Sequence, residues 1–192
     1  MQNPLFEEEI KNTIEALRKG GSILYPTDTV WGLGCDARNK EAVSKLFKIK
    51  QRVEYKSMVV LVCDETMLTR YVKEVPAIAW ELIDAAEEPL TIIYPDGRML
   101  ADNLIAADGS VGIRLVKDDF CKVLIRKFGK PIVSTSANIS GEPSPASFKQ
   151  IKLDILNNVD YIVNLRQNEV ANIKPSTIIK VDLNGEIKIL RK

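Results

Sequence analysis

Apolar positions recur at helical spacing between Glu7 and Lys19, where Ile10, Ile14 and Leu17 share one face. Acidic residues occupy the first turn and Gly20-Gly21 follow the last, which predicts an amphipathic helix with a glycine stop. Ser22 to Tyr25 reads as a short strand, stopped by Pro26 and a polar Thr27-Asp28-Thr29 loop. Asn39 is a candidate cap for a second helix whose stripe is Ala42, Val43, Leu46 and Ile49. Met58 to Val62 is uninterruptedly apolar, the pattern of a strand covered on both faces. Two helical segments follow, around Thr66 to Val72 and Ala77 to Ala86. Leu90 to Tyr94 is a strand ended by the Pro95-Asp96-Gly97 turn. The stretch from Arg98 to Gly109 reads as loop.

Val111 to Leu115 alternates, placing Val111, Ile113 and Leu115 on one face and Ser110, Gly112 and Arg114 on the other. Phe120 to Lys127 predicts a helix closed by Gly129. Ile132 to Thr135 predicts a strand that runs into Ser136-Ala137-Asn138-Ile139-Ser140-Gly141. Ser147-Phe148-Lys149-Gln150 has capping-box spacing and predicts a helix reaching about Leu156. Tyr161 to Asn164 is a further strand. Thr177 to Val181 and Glu186 to Leu190 flank Asn184-Gly185, a hairpin signal that brings Ser176 close to Arg191. Strands alternate with helices early and the chain closes on a hairpin, so the expected architecture is one α/β domain over residues 1–192 with a mixed sheet.

Composition narrows the chemistry. The 192 residues carry a net charge of +1, so a basic patch has to be local. No apolar run approaches membrane-spanning length, and the N-terminal segment is acidic rather than signal-like. Cys35, Cys63 and Cys121 are scattered, with no metal-ligand spacing, and read as reduced thiols of a cytoplasmic protein. The absence of histidine excludes histidine acid–base catalysis and histidine-ligated metals. Chemistry must run on Lys, Arg, Asp, Glu, Ser, Thr, Asn and the backbone.

Cations concentrate between Lys45 and Lys56, just before the most apolar strand. The run is either a solvated face or an anion site at strand ends. Gly32-Leu33-Gly34-Cys35-Asp36-Ala37 fits a relaxed GxGxxA pattern, but the glycines are not at a strand-to-helix turn, and no GxxxxGK[ST] occurs. A nucleotide would therefore be held by side-chain cations. Thr27, Asp28 and Thr29 are turn-formers or ligand groups. Ser134, Ser136 and Asn138 point one way into a cleft or cap a turn. Arg114, on an otherwise apolar strand, needs an anionic partner, either a structural carboxylate or a ligand. Met58, Met67 and Met99 read as core filler.

Together these residues resemble one family. Tyr25 to Asp36 looks like a YPTxTxYGLGCD signature. Lys50-Gln51-Arg52 with Lys56 is similar to a KxR…(K/N) motif. Ser134 to Gly141 resembles STSANxSG, and Pro175-Ser176-Thr177 with Arg191 resembles a terminal PST…R pair. The family is the YrdC-like threonylcarbamoyl-AMP synthases of the tRNA t6A pathway. Departures are Val53 after Arg52 in place of Pro, Ser57-Met58 where many members have Pro-Leu, and Trp31 before Gly-Leu-Gly in place of Tyr.

The resemblance implies a single domain, a large twisted mixed sheet flanked by helices around a basic cavity. It implies that L-threonine, bicarbonate and ATP give threonylcarbamoyl-adenylate and pyrophosphate, with Mg2+ held mainly through phosphates. Lys50, Arg52 and Lys56 are the implied catalytic cations. They share the ATP side with Ser110, Asn138 and Arg191. Thr29, Arg114, Ser136 and Ser176 form the threonine side, with Arg114 on the carboxylate. The implied partners are a downstream t6A transferase complex and a tRNA or double-stranded RNA contact. A non-catalytic RNA-binding protein of the same fold is the competing reading.

Overall fold

The computed structural model describes residues 3–52, 58–169 and 175–192. Helix α1 (Pro4–Arg18) begins three residues before the apolar stripe predicts, because Asn3 caps it from its side chain and Pro4 suits the first helical position. It buries Ile10, Ile14 and Leu17 and stops at Gly20, whose φ of +75° favours glycine. Strand β1 (Ile23–Tyr25) is fully buried. The next strand, β2 (Gly32–Gly34), is not among the predicted elements: it pairs antiparallel with β1, Ile23 opposite Gly34. A Cβ at Gly34 would lie 2.6 Å from the Val133 carbonyl oxygen, so only glycine lets the neighbouring strand approach.

Helix α2 (Lys40–Ile49) is capped by Asn39 as expected, its Oδ1 accepting from Ala42 N at 3.0 Å. Strand β3 (Val59–Val62) follows, then α3 (Glu65–Tyr71), capped by Asp64, and α4 (Ala77–Ala85). Strands β4 (Leu90–Tyr94) and β5 (Val111–Leu115) occupy the predicted residues. Helix α5 (Asp119–Phe128) has Asp118 as its cap and Gly129 in the left-handed region at its end. Strand β6 (Ile132–Ser136) follows.

The single helix expected from Ser147 to Leu156 is not formed. A 3-10 turn covers Phe148–Gln150, and α6 (Leu153–Leu156) starts afresh. Ser147 makes no side-chain cap; Gln150 Oε1 instead accepts from Ala146 N, and extended Ile151 and Lys152 break the path. Strand β7 (Tyr161–Ile162) precedes β8 (Thr177–Val181) and β9 (Ile187–Arg191), the predicted hairpin. Met58 and Met67 are buried as expected, but Met99 is 59 % exposed, with a φ of +57°.

Among the described residues the strands form one sheet in the order β7-β1-β2-β6-β3-β5-β4-β8-β9. Pairs β1/β7, β3/β5 and β4/β8 are parallel and the rest antiparallel, giving the expected mixed sheet. Central β3 is sealed on both faces, with Val60, Leu61 and Val62 fully buried. The three cysteines are buried and free, and no described helix is long and apolar enough to cross a membrane.

Candidate active site

Where the ends of β2, β3, β5, β6 and β8 converge, the sheet opens into a cleft of about 260 Å³. Its floor comes from β6, where Ser134, Thr135 and Ser136 succeed the buried Ile132 and Val133. Gly32 faces them across the β2/β6 pair, opposite Ser136. A Cβ there would lie 3.2 Å from both Ser134 Oγ and Thr27 Cγ2, so glycine keeps this wall open. Thr27 and Thr29 line the cleft from the β1–β2 loop, Met58 and Val59 from the start of β3, and Ser144 from the segment after β6.

Three guanidiniums reach the same space: Arg52, Arg114 and Arg191. No Asp or Glu is among the described lining residues. Arg114 is buried on β5, its Nη2 3.4 Å from Asp28 Oδ1 and its Nη1 3.5 Å from Thr29 Oγ1. The carboxylate that a buried arginine requires is thus present, at the long end of an ion pair. Arg191 forks onto the Ser176 carbonyl oxygen through Nε and Nη2, at 3.0 and 2.7 Å. Ser176 Oγ lies 2.9 Å from Thr91 Oγ1. The predicted approach of Ser176 and Arg191 is therefore formed. Burial lowers the pKa of Arg52, and burial reinforced by Arg114 lowers that of Arg191.

Six expected site residues meet at this cleft: Thr29, Arg52, Arg114, Ser136, Ser176 and Arg191. Lys50 does not line it. It is 2 % exposed, and its Nζ donates to the carbonyl oxygens of Ser136 and Asn138 at 2.6 and 2.7 Å. Its own carbonyl oxygen accepts from Ser140 N. Lys50 thereby fastens the end of α2 to the turn after β6. Burial, then the nearby Arg52 charge, lowers its pKa to about 8, while the two carbonyls favour its charged form.

Asn138 also turns inward, its Nδ2 donating to the Ile139 and Glu142 carbonyl oxygens. Ser110 is buried outside the cleft lining and donates from Oγ to Asp108 Oδ1 at 2.6 Å. Lys56 lies outside the described residues.

Sequence reasoning missed Arg166. It holds the β1–β2 loop, Nη2 donating to the Thr27 carbonyl oxygen at 3.1 Å while Nη1 and Nε pair with Asp118 and Glu169. Its φ of +58° is uncommon for a residue other than glycine. No local pattern marks an arginine whose partner is 139 residues away.

The chain that folds into this nine-stranded sheet, counted among the described residues, is similar to known proteins over nearly its whole length. Residues 15–192 match the Sua5/YciO/YrdC family, described as "Telomere recombination", and the chain belongs to that family. It is 32% identical over 173 residues to the threonylcarbamoyl-AMP synthase of Idiomarina loihiensis, covering 88% of this chain and 91% of that protein. Against the enzyme of the same name from Pseudoalteromonas translucida it is 32% identical over 184 residues, covering 94% and 97%.

Among solved structures, P. abyssi Sua5 complexed with L-threonine superposes with a TM-score of 0.83 at 28% identity, over 91% of this chain and 51% of that one. E. coli YciO does so with 0.84 at 25%, over 97% and 89%. The chain thus spans about half the length of Sua5 and nearly all of the two synthases.

Proposed function

We propose that the protein is an L-threonylcarbamoyladenylate synthase, a nucleotidyltransferase acting on L-threonine, bicarbonate and ATP. The observation that carries this reading is a cleft lined by three guanidiniums and a floor of hydroxyls, with no described carboxylate. Such a lining suits substrates that are all anions or carry a carboxylate. That the relatives are named threonylcarbamoyl-AMP synthases, and that Sua5 binds L-threonine, supports the same substrates here.

In this reading Arg114 takes the threonine carboxylate, with Thr29, Ser136 and Ser176 as hydroxyl partners. The threonine nitrogen combines with CO2 from bicarbonate to give a carbamate and water. A carbamate oxygen then attacks the α-phosphorus of ATP; the new P–O bond forms as the bond to pyrophosphate breaks, and the electron pair leaves with pyrophosphate. The nucleophile is already anionic, so no histidine base is needed. Catalysis is positioning plus neutralisation of phosphate charge. Arg52 and Arg191 supply that neutralisation. Lys56 and Ser110 are assigned to the ATP side beside them, and Lys50 and Asn138 to holding the turn after β6. Hydroxyls and guanidiniums do not fit a protein-held Mg2+, so that ion belongs with the nucleotide's phosphates.

The test is pyrophosphate release from ATP with L-threonine and bicarbonate both present, and with each omitted. Release that requires both is the expected result. Release independent of threonine, or none at all, overturns the reading.

A further inference from the structure

The turn that carries Thr27 and Thr29 into the cleft has at its centre the acid that pairs with Arg114. Asp28 is not among the lining residues. It does not close the turn either: Thr27 Oγ1 accepts from Thr29 N at 3.1 Å and donates to the Val30 carbonyl oxygen at 2.7 Å. Asp28 Oδ1 is buried with no hydrogen-bond partner, and its ionic contact is Arg114 Nη2. Arg114 in turn is 5 % exposed, and its Nε is buried without a hydrogen-bond partner.

A buried guanidinium needs a counter-charge at all times, and a substrate carboxylate supplies one only while bound. A carboxylate held 3.4 Å away meets that need without consuming the arginine's donors, because no hydrogen bond is formed. Arg191, a second cation near Arg114, raises the need rather than relieving it.

We propose that Asp28 is the positioning residue for Arg114. From outside the cleft lining its carboxylate neutralises and orients the guanidinium without taking up its donors, so that Arg114 stays ready for the α-carboxylate of the amino-acid substrate. The inference rests on the amino-acid reading of the cleft given above.

Asp28→Asn tests it, since it removes the charge and keeps the shape; Asp28→Glu restores the charge on a longer stem. Threonine and ATP binding are measured by calorimetry at low and high chloride, beside pyrophosphate release. Asp28→Asn should weaken threonine binding about tenfold, the factor that follows from losing one charge pair of ordinary strength. ATP affinity should stay within about twofold, because among the described residues the cation that Asp28 pairs with is Arg114, on the amino-acid side. Threonine binding by Asp28→Asn should also become chloride-sensitive, as chloride occupies the uncompensated guanidinium, and Asp28→Glu should recover part of the loss.

In an Arg114→Met background, Asp28→Asn should add no further loss. If Asp28→Asn alone fails to fold while the double variant folds, the buried unpaired charge is the cause and the proposal stands; if both fail, Asp28 is structural and the proposal falls. Asp28→Asn binding threonine like wild type, with no chloride effect, also overturns it. Asp28-dependent threonine binding without pyrophosphate release would instead overturn the enzyme reading alone.

Discussion

Lys50 and Arg52 belong to one sequence motif, yet the fold gives them different tasks, and substitution should separate them. Lys50→Met removes an ammonium that is 2 % exposed and donates to two carbonyl oxygens. A hydrogen bond to a charged group is worth about 1.5–3 kcal/mol, and Met recovers part of the packing, so a net loss of about 3 kcal/mol is expected. For a chain of this size that is roughly 6–12 °C in melting temperature. Arg52→Ala instead removes a charge lining the cleft. Arg52 is only partly buried, so the substitution should lower the melting temperature by less than Lys50→Met does. It should lower kcat/KM for pyrophosphate release by about 10²–10³, the usual cost of losing one transition-state charge donor. Differential scanning fluorimetry and a coupled pyrophosphate assay read the two effects. A Lys50→Met protein that melts like wild type yet has lost turnover would refute the division of labour and return Lys50 to the phosphates.

Deleting Leu190 to Lys192 removes the Arg191 fork on Ser176 from an exposed edge strand, so ATP affinity should fall more than melting temperature; an unchanged ATP titration would contradict this. Arg166→Ala should weaken threonine binding several-fold, about 1 kcal/mol for a half-exposed ion pair that holds the Thr27 carbonyl oxygen, with ATP affinity unchanged by calorimetry. Serine should be a weak substrate and valine nearly inert. A missing methyl costs only ~1–3 kcal/mol, whereas a missing hydroxyl leaves Thr29, Ser136 and Ser176 without their partner. Valine turning over like threonine would count against this pocket.

The sheet was legible where burial writes a pattern. Strands β4, β5 and β8 occupy their predicted residues, and α2 starts at its predicted cap. Strand β2 was not, because Gly32-Leu33-Gly34 has almost no side chains to alternate; its identity comes from the strands pressed on either side. The helix expected after Ser147 failed for the opposite reason. A local capping signal was present, but Gln150 spent its side chain on Ala146 N. In the site, motif positions pointed to six residues that meet at the cleft, but also to Lys50, Ser110 and Asn138, which lie outside its lining. They could not show that Lys50 faces two carbonyls or that Asp28 sits behind Arg114, because both facts depend on long-range pairing of β5, β6 and the loops.

The choice of arginine for the cleft has its own physical reason. Burial lowers the pKa of Arg52 and Arg191, as it takes Lys50 to about 8. A guanidinium starts high enough to stay charged at any working pH after such a shift; an ammonium brought to about 8 stays charged only below it. Arg52→Lys should therefore behave as a conditional enzyme. Below the lowered pKa of the new lysine its ammonium is charged and partly replaces the guanidinium, so activity survives. As pH rises through that pKa the ammonium becomes neutral and the phosphate loses its counter-charge, so activity falls while wild type keeps its cation. Profiles of kcat/KM between about pH 7 and 9.5, the range that brackets an ammonium so lowered, decide the matter. The Arg52→Lys profile should drop away from wild type on the alkaline side. Parallel profiles would mean that position 52 is well enough solvated for a lysine to hold its proton, and that burial is not why the cleft uses arginine.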